Sequence, residues 1–596
     1  MATTYDKASL VMIPSGYKDD KLYSIKPTDG SGDFTFSRDG SGASPATRVN
    51  ASGLIEKGRT NELLQSNQFD TTWGLSSGIS VTGGQSGYDG SNDAWLLKRV
   101  DTSARYINQN ITLSNAVYSY SVYAKAESVD WLYMWSFNGT GSVSVYFDLA
   151  NGLVGTQSGT IDANIESVGG GWYRCSMSYN NNIAAVRLYP GVADGSITGG
   201  ISPAGIYIQD AQIESGLVST SYIATTTAPV SAGLLGDMPR LDYSGGATCP
   251  SLLLEPSRDN LFPHSEYTGG YTLSAATLTS NDTASPEGFV NATKLECDGT
   301  SSIGQAYQNL TIAASTTYIY SIFLKAGNNN FFSISYTNMD TTGFVSGDLS
   351  SGTIGDQTSG IYADIEPYAN GWYRVSLEVV QQTTDLSGRF RLYCTYNDLG
   401  QPFPTAGDAN GQYIYAYGFQ LEEGSYPTSY IPTYGSASLR ADEDVDLTSA
   451  SAIIGQTAGV MFMEYDITNL ESGYDWFGFN DGATTNRLIL GVRDSSTQGY
   501  RLFVVSGGAT SIDSRFGDTT AGGVVKVAVK YDSGSYKVFV NGTEELSTTG
   551  VSSFTSTLTD IDFNDGGTFR ITEPVKQFLV FPTALTDAEC IALTTI

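Results

Sequence analysis

The feature that most constrains the fold of this chain is an internal duplication. The segment SVYAKA at residues 121–126 returns as SIFLKA at residues 321–326, and GWYR at residues 171–174 returns at residues 371–374. Both pairs are separated by 200 positions. One long module has therefore been copied, and the chain must build two similar domains in series.

Matched motifs near the two ends of the copies set the domain boundaries. RTN at residues 59–61 corresponds to RDN at 258–260, and QIE at 212–214 corresponds to QLE at 420–422. We predict an N-terminal arm over residues 1–47, a first repeat over 48–224, a linker over 225–239, a second repeat over 240–433 and a third domain over 434–596.

The residue pattern inside each copy predicts strands. Residues 118–124 and 318–324 alternate in the way of half-buried strands, and a glycine turn at residues 169–171 is one of several between such runs. Charged residues make up only 15% of the chain, whereas Gly (67) and Tyr (38) are abundant. Many short strands joined by tight turns are typical of an antiparallel jelly-roll sandwich, so we predict two in tandem.

The C-terminal part has a different pattern. Residues 525–531 and 536–540 are alternating runs separated by the turn DSGS, which predicts a β-hairpin. Near the chain end, Thr586 and Glu589 have the spacing of a capping box, in which each residue bonds the backbone N–H of the other. This spacing predicts a short helix that begins after Thr586.

These motifs resemble known families. The hairpin over residues 526–542 and the closing segment over 576–589 resemble laminin-G/concanavalin-like lectin sandwiches, and the two repeats are similar to carbohydrate-binding jelly rolls. Segments 34–38, 46–50 and 250–256 resemble the segments that lead into the domains of tail-fibre and other surface proteins of tailed bacteriophages. The resemblance implies an all-β chain: two tandem antiparallel jelly-roll sandwiches, then a laminin-G/concanavalin-like β-sandwich, with a short N-terminal arm.

The same resemblance implies a function. We expect a non-enzymatic structural and adhesion protein of tail-fibre or receptor-binding type, on the surface of a phage virion, that binds host cell-surface glycan. It would be assembled in the host cytoplasm, contact other virion proteins through its N-terminal region and form a homo-oligomer, with a trimer favoured. A head-decoration or collar protein, a tail-associated polysaccharide depolymerase and a component of a phage-tail-like injection system remain alternatives.

Charge and motif content narrow these classes. A net charge of −30 repels phosphate backbones and anionic membranes, so no nucleic-acid partner is expected. No run approaches the ~18 apolar residues of a membrane span, so no membrane insertion is expected. The sequence has one histidine, His264, and no GxSxG, HExxH or Walker-type motif, which favours binding over catalysis. Two similar modules also favour binding, because a second copy adds avidity.

Two tryptophans of the first repeat are candidate sugar-binding residues. Trp95 and Trp135 correspond to Thr293 and Ser335 in the second repeat. The second repeat thus has Thr or Ser where the first has tryptophan. We interpret these tryptophans as unnecessary for the core and expect them to be exposed. Exposed aromatic rings stack on the C–H faces of sugars, although they also serve at subunit contacts.

The third domain offers further candidates. Trp476 and Tyr474 are predicted to bind glycan in the same way. The resemblance to laminin-G domains implies Ca²⁺ held by loop carboxylates, here Asp481 and Asp565, each of which precedes a glycine. Asp-Gly pairs are also ordinary turn residues. We predict no other cofactor.

A carboxylate and an amide share one face of a predicted strand in each repeat. In the first repeat they are Gln212 and Glu214, two positions apart. Such a pair could bind sugar hydroxyls, hold a cation or form a structural hydrogen bond, and the sequence leaves these alternatives open.

Overall fold

The computed structural model describes residues 4–596 except 41–43, 301–303, 385, 395–409, 468–474, 495–498, 520–521 and 565–569. This part of the chain contains 45 strands and one α-helix, which confirms the all-β class. It forms two compact units. Unit 1 comprises residues 1–56, 234–258 and 439–596, and unit 2 comprises residues 57–233 and 259–438.

The strands are numbered along the chain. The first six are β1 (Leu10–Met12), β2 (Tyr17–Lys18), β3 (Lys21–Leu22), β4 (Phe34–Ser37), β5 (Thr47–Val49) and β6 (Ile55–Lys57). Repeat 1 then contains β7 (Arg59–Asn61), β8 (Gly74–Leu75), β9 (Ile79–Gln85), β10 (Ala94–Arg99), β11 (Ile107–Ala126), β12 (Trp131–Phe137), β13 (Ser142–Asp148), β14 (Leu153–Ser158), β15 (Asp162–Gly169), β16 (Trp172–Gly191), β17 (Ala204–Ser215) and β18 (Val230–Ala232).

The second half continues with β19 (Leu241–Asp242) and β20 (Ser251–Leu252). Repeat 2 follows with β21 (Arg258–Asn260), β22 (Thr272–Ser274), β23 (Ala276–Ala284), β24 (Val290–Cys297), β25 (Gly304–Ile312), β26 (Tyr318–Ala326), β27 (Phe331–Thr337), β28 (Gly343–Asp348), β29 (Thr353–Gln357), β30 (Ala363–Tyr368), β31 (Trp372–Val379), β32 (Leu386–Cys394), β33 (Tyr413–Glu423) and β34 (Ser438–Arg440). The last elements are β35 (Asp444–Leu447), β36 (Ala458–Ile467), β37 (Asp475–Asn480), β38 (Arg487–Asp494), β39 (Gly499–Ser506), β40 (Ala509–Phe516), β41 (Gly523–Asp532), β42 (Ser535–Val540), β43 (Thr543–Thr549), β44 (Asp560–Asp562), β45 (Val575–Phe581) and helix α1 (Asp587–Thr594).

Unit 2 contains the two repeats, and both have one topology. Repeat 2 is a sandwich of two six-stranded antiparallel sheets, in the orders β22-β25-β32-β27-β28-β29 and β23-β24-β33-β26-β31-β30. In repeat 1 the corresponding strands follow the same two orders. Strands β11 and β16, of 20 residues each, are long enough that each takes part in both layers of the sandwich. Each sandwich encloses its own apolar core.

A buried asparagine fixes the same junction in each repeat. The side chain of Asn260 donates to the carbonyls of Phe419 and Ile431, and its Oδ1 accepts from the N–H groups of Phe262 and Leu421, at 2.8–3.2 Å. Asn61 makes the four corresponding bonds in repeat 1. This explains why the asparagine occurs in both copies.

Unit 1 is a sandwich built from three separate stretches of chain. One sheet has the order β19-β20-β45-β36-β41-β42-β43, with β1 also paired to β45. The other has the order β2-β3-β4-β35-β44-β37-β38-β39-β40. The larger of its apolar clusters includes side chains from all three stretches, among them Phe34, Leu252 and Phe578.

The N-terminal segment differs from its prediction. Residues 1–47 were expected to form an arm, yet β1 pairs with β45, and β4 pairs with β35. Leu10, Met12 and Phe34 are fully buried in the core of unit 1. The segment thus belongs to the C-terminal sandwich. Likewise, β18 lies in the predicted linker over 225–239 but pairs with β7 of repeat 1.

Buried ion clusters hold sequence-distant segments together within each unit. In unit 1, Arg240 binds Glu443 and Glu255 at 2.5 and 2.7 Å. Arg38 also binds Glu443, and Arg440 also binds Glu255. Each of the three stretches of unit 1 therefore contributes to one network.

In unit 2, Lys57 contacts the carboxylates of Glu266 and Glu287 from repeat 2. Arg59 binds Glu287 at 2.8 Å and donates to the carbonyl of Ser215. All four charged side chains are buried. This cluster couples the two repeats, since its cations come from repeat 1 and its carboxylates from repeat 2.

Helix α1 begins where the capping box predicts. The N–H of Glu589 donates to Oγ1 of Thr586, and the N–H of Thr586 donates to Oε2 of Glu589. Within the described ranges, no helix is both long enough and apolar enough to cross a membrane.

Candidate functional site

An aromatic surface lies on strand β12 of repeat 1. Alternation along the strand sends Leu132, Met134 and Ser136 inward, where all three are buried. The remaining positions face outward and are half-buried, and they are all aromatic: Trp131, Tyr133, Trp135 and Phe137. We call these four residues, with Tyr106, Tyr146, Arg187 and Tyr189 on neighbouring strands or loops, the aromatic face.

Tyrosines of adjacent strands extend this surface. The ring centroid of Tyr133 lies 4.3 Å from that of Tyr146 and 5.2 Å from that of Tyr189. Tyr106 lies 5.0 Å from Tyr189. Burial, with nearby Tyr133, Asp194 and Tyr189, raises the pKa of Tyr146 to about 12, so its hydroxyl stays protonated at neutral pH. The face thus combines flat rings with hydroxyl groups.

Arg187 lies between two rings of the face. Its Cζ is 4.1 Å from the ring centroid of Tyr106 and 4.2 Å from that of Trp135, both within cation–π range. Its Nη1 donates to the hydroxyl of Tyr189 at 3.2 Å. Among the residues that the structure describes, no carboxylate lies within salt-bridge distance of Arg187.

The arrangement suits a ligand with apolar faces and polar edges. Trp135 stacks on Phe137 with their centroids 5.2 Å apart and their planes at 10°, which gives an extended ring platform. Ring faces pack against C–H groups, while tyrosine hydroxyls and the guanidinium reach polar edges. A saccharide has both kinds of surface.

The two predicted tryptophans of repeat 1 have different environments. Trp135 lies on the aromatic face. Trp95, predicted as exposed, is only 8% exposed, packs in the core against Phe69 and donates to the carbonyl of Asn67. The matched Thr293 is buried too. The prediction for Trp95 was wrong because an exchange of Trp for Thr between copies does not require exposure.

Trp476 is also buried, contrary to its predicted role as an exposed platform. It is 4% exposed, its ring lies 5.8 Å from that of Phe503, and the guanidinium of Arg501 lies 5.3 Å from its centroid. Its neighbours on the sheet cover it. Tyr474 lies outside the described residues.

The predicted calcium ligand Asp481 has protein donors around it. Its carboxylate accepts bonds from Thr485, Asn486 and Ser556 at 2.6–2.8 Å. Burial acts to raise its pKa, but these bonds prevail and lower it to about 2. No cluster of three or more His, Cys, Asp or Glu suited to a metal occurs among the described residues. Asp481 therefore stabilises a turn, and Asp565 lies outside the described residues.

The Gln212–Glu214 pair is structural. Gln212 Nε2 donates to Glu214 Oε1 at 2.6 Å, and the carboxylate of Glu214 accepts from the N–H and hydroxyl of Thr220. Glu422 binds Thr428 identically in repeat 2. Among the open alternatives for this pair, the structural hydrogen bond is the one formed.

A cavity of about 380 Å³ lies between the two repeats. Its lining includes Arg174, Asp162 and Asn281. The guanidinium of Arg174 donates to the carbonyls of Ser219 and Thr220. Arg374 bonds the carbonyl of Thr428 in the corresponding place. Because both copies use this arginine to hold a loop, we assign Arg174 a structural role.

Sequence reasoning missed most of the aromatic face. Trp131, Tyr133, Phe137 and Arg187 were not predicted as site residues. The signal was present in WLYMWSF at residues 131–137, where every second residue is aromatic. Outward aromatic residues at consecutive alternate positions indicate a surface platform, since a core needs only the inward set.

Comparisons with known proteins find similarity only to solved structures. No family model and no curated protein matches the chain. Among solved structures, the CBM40 of the Ruminococcus gnavus IT-sialidase is 18% identical over 24% of this chain and 86% of its own, with a TM-score of 0.20. The CBM22-1-CBM22-2 tandem of Paenibacillus barcinonensis Xyn10C is 10% identical over 61% and 97%, with a TM-score of 0.19.

The LG1-3 region of the laminin alpha2 chain is 11% identical over 82% of this chain and 97% of its own, with a TM-score of 0.13. Because every one of these TM-scores is below 0.5, none of these likenesses indicates a function for this chain.

Proposed function

We propose that this chain is a non-enzymatic adhesion protein that binds a saccharide on the aromatic face of repeat 1. The observation that carries the proposal is the row of four outward aromatic residues on β12, beside Arg187. Large, half-buried rings bind with little loss of conformational entropy, because they are already held in place.

The composition of the aromatic face favours binding over hydrolysis. Its members supply rings, hydroxyls and one guanidinium. Glycoside hydrolysis ordinarily uses two carboxyl groups that flank the scissile bond, and the face as defined includes none. A binding site also accords with the duplication, since modest contacts summed over modules raise avidity.

The setting we propose is the surface of a tailed-phage virion, as a tail-fibre or receptor-binding protein that contacts host cell-surface glycan. The support is the sequence resemblance of segments 34–38, 46–50 and 250–256. Residues 10–37 contribute strands to unit 1, so any contact with other virion proteins through the N-terminal region would involve that sandwich. We also propose that the chain forms a homo-oligomer.

Substitution on the face tests the binding site. We expect Trp135→Ala in the full chain to weaken binding to an array of neutral bacterial surface glycans at least tenfold, about 1.4 kcal/mol. The control is Tyr362→Ala, which removes an exposed aromatic residue of repeat 2 outside the face. Equal binding by the folded Trp135→Ala variant and the parent chain would refute this site.

Virion location needs its own experiment. Antibodies raised against the chain should label purified phage particles at the tail and block their adsorption to host cells. Labelling of the head alone would replace the receptor-binding proposal with the head-decoration alternative. Release of reducing ends from host polysaccharide by the purified chain would support the depolymerase alternative.

A further inference from the structure

We propose that repeat 2 carries a second saccharide site on the corresponding sheet face, and that this site selects a sugar bearing a carboxylate. The inference rests on the proposed function, because it extends saccharide binding from one copy to the other. We call Tyr307, Ser335, Arg389, Arg391 and Tyr393 the arginine face.

Strand register establishes that the two faces correspond. Trp135 lies directly opposite Arg187 on the neighbouring strand, and Ser335 lies directly opposite Arg391. Arg391 donates from Nη1 to the hydroxyl of Tyr393 at 2.9 Å, just as Arg187 donates to Tyr189. Both copies therefore keep one arginine–tyrosine pair at the same place.

The residues around this shared arginine–tyrosine pair differ between the two repeats. Where β12 carries Tyr133, Trp135 and Phe137, strand β27 carries small polar residues, namely Ser333, Ser335 and Thr337. Phe137 lies opposite Ala185 in repeat 1, whereas Thr337 lies opposite Arg389 in repeat 2. At these three positions of β27 repeat 2 thus has hydroxyl residues in place of rings, and it has one more cation on this face.

The two cations are held on the same side of one strand. Arg389 and Arg391 are two positions apart on β32, and both are half-buried. Their Cζ atoms lie 4.3 and 6.0 Å from the ring centroid of Tyr307. The ring positions both guanidiniums, so an incoming anion meets a pre-arranged pair of donors.

The described part of the chain places no carboxylate against either guanidinium. Within the described residues, no Asp or Glu lies within salt-bridge distance of Arg389 or Arg391, although the chain holds 61 acidic and 31 basic residues. The Nε atoms of both are buried without a hydrogen-bond partner. Both side chains are only half-buried, so a ligand carboxylate that accepts from their outer Nη–H groups would meet no competing carboxylate of the described protein.

A sugar that bears a carboxylate fits the arginine face better than a neutral sugar does. Arginine binds a carboxylate through two parallel N–H···O bonds, a geometry that a neutral sugar cannot offer. The buried hydroxyl of Tyr393 accepts from Arg391 and lies 3.4 Å from that of Ser335, which holds this guanidinium in place for an incoming carboxylate. We therefore assign an acidic saccharide to repeat 2.

The experiment uses the full chain carrying Trp135→Ala, so that the aromatic face is disabled. Its binding is measured on an array of carboxylated bacterial glycans and on the same glycans after reduction of their carboxyl groups to alcohols. Arg389→Gln with Arg391→Gln is compared with Lys294→Gln, which removes a cation from the other sheet of repeat 2. Thermal unfolding verifies that each variant folds.

We expect binding to carboxylated glycans to fall at least tenfold on carboxyl reduction and at least tenfold in the double arginine variant. Lys294→Gln should leave it within twofold. The inference is overturned if the Trp135→Ala chain binds no carboxylated glycan, or if carboxyl reduction or the arginine substitutions leave binding unchanged. Failure of the unsubstituted chain to bind any glycan would instead refute the proposed function.

Discussion

Replacement of Lys57 by methionine tests whether the buried ion cluster couples the two repeats of unit 2. Lys57 is only 6% exposed, its Nζ contacts the carboxylates of Glu266 and Glu287, and it lies 3.2 Å from the hydroxyl of Tyr417. Methionine keeps most of the side-chain volume but removes the charge. The change therefore isolates the electrostatic contribution.

The expected loss in the free energy of unfolding follows from the contacts that the two carboxylates keep after the substitution. Arg59 still binds Glu287 at 2.8 Å, whereas Glu266 keeps the hydroxyl of Tyr430 at 3.1 Å but loses its cationic partner. Loss of one partner from a buried ion pair costs about 3–5 kcal/mol. Because only one carboxylate is left without a cation, we expect the low end, about 3 kcal/mol.

Urea unfolding followed by circular dichroism measures this loss as a shift of the transition midpoint. The matched control is Lys98→Met, because Lys98 lies 3.5 Å from Glu127 at a partly exposed site. Such pairs contribute about 0–1 kcal/mol. Equal shifts for the two variants, or a loss below about 1 kcal/mol for Lys57→Met, would refute the proposed coupling.

Three further predictions concern stability. Asn260→Ala should destabilise repeat 2 by about 3 kcal/mol in calorimetry, because it leaves four backbone groups without partners, and Asn61→Ala should do the same to repeat 1. Burial and the nearby carboxylates raise the pKa of Asp562 to about 6. The stability that Asp562 contributes is therefore present at pH 4 and lost as the pH rises through 6, and Asp562→Asn should flatten that loss in unfolding measured from pH 4 to 7. Thr586→Ala should cost about 1 kcal/mol of unit 1 stability by removing the helix cap, and no change in urea midpoint would contradict the capping role.

Local sequence patterns predicted the elements whose causes are local. The capping box at Thr586 placed helix α1, and alternation placed strands such as β12, because both depend on residues a few positions apart. Exposure of a single side chain was not predictable in this way. Trp95 and Trp135 looked equivalent when the copies were compared, yet only Trp135 lies on an outward face, since strand orientation decides which side of a sheet is covered.

What the sequence alone determined is the duplication, the all-β class and the alternating strands, since each is recorded in residue spacing. Only the tertiary structure decided that residues 10–12 pair with a strand near residue 580, and that Arg187 lies between Tyr106 and Trp135. The physical reason is that sheet pairing and ring contacts join residues distant in sequence. Burial and charge neutralisation across the whole fold select these contacts, and no local pattern records them.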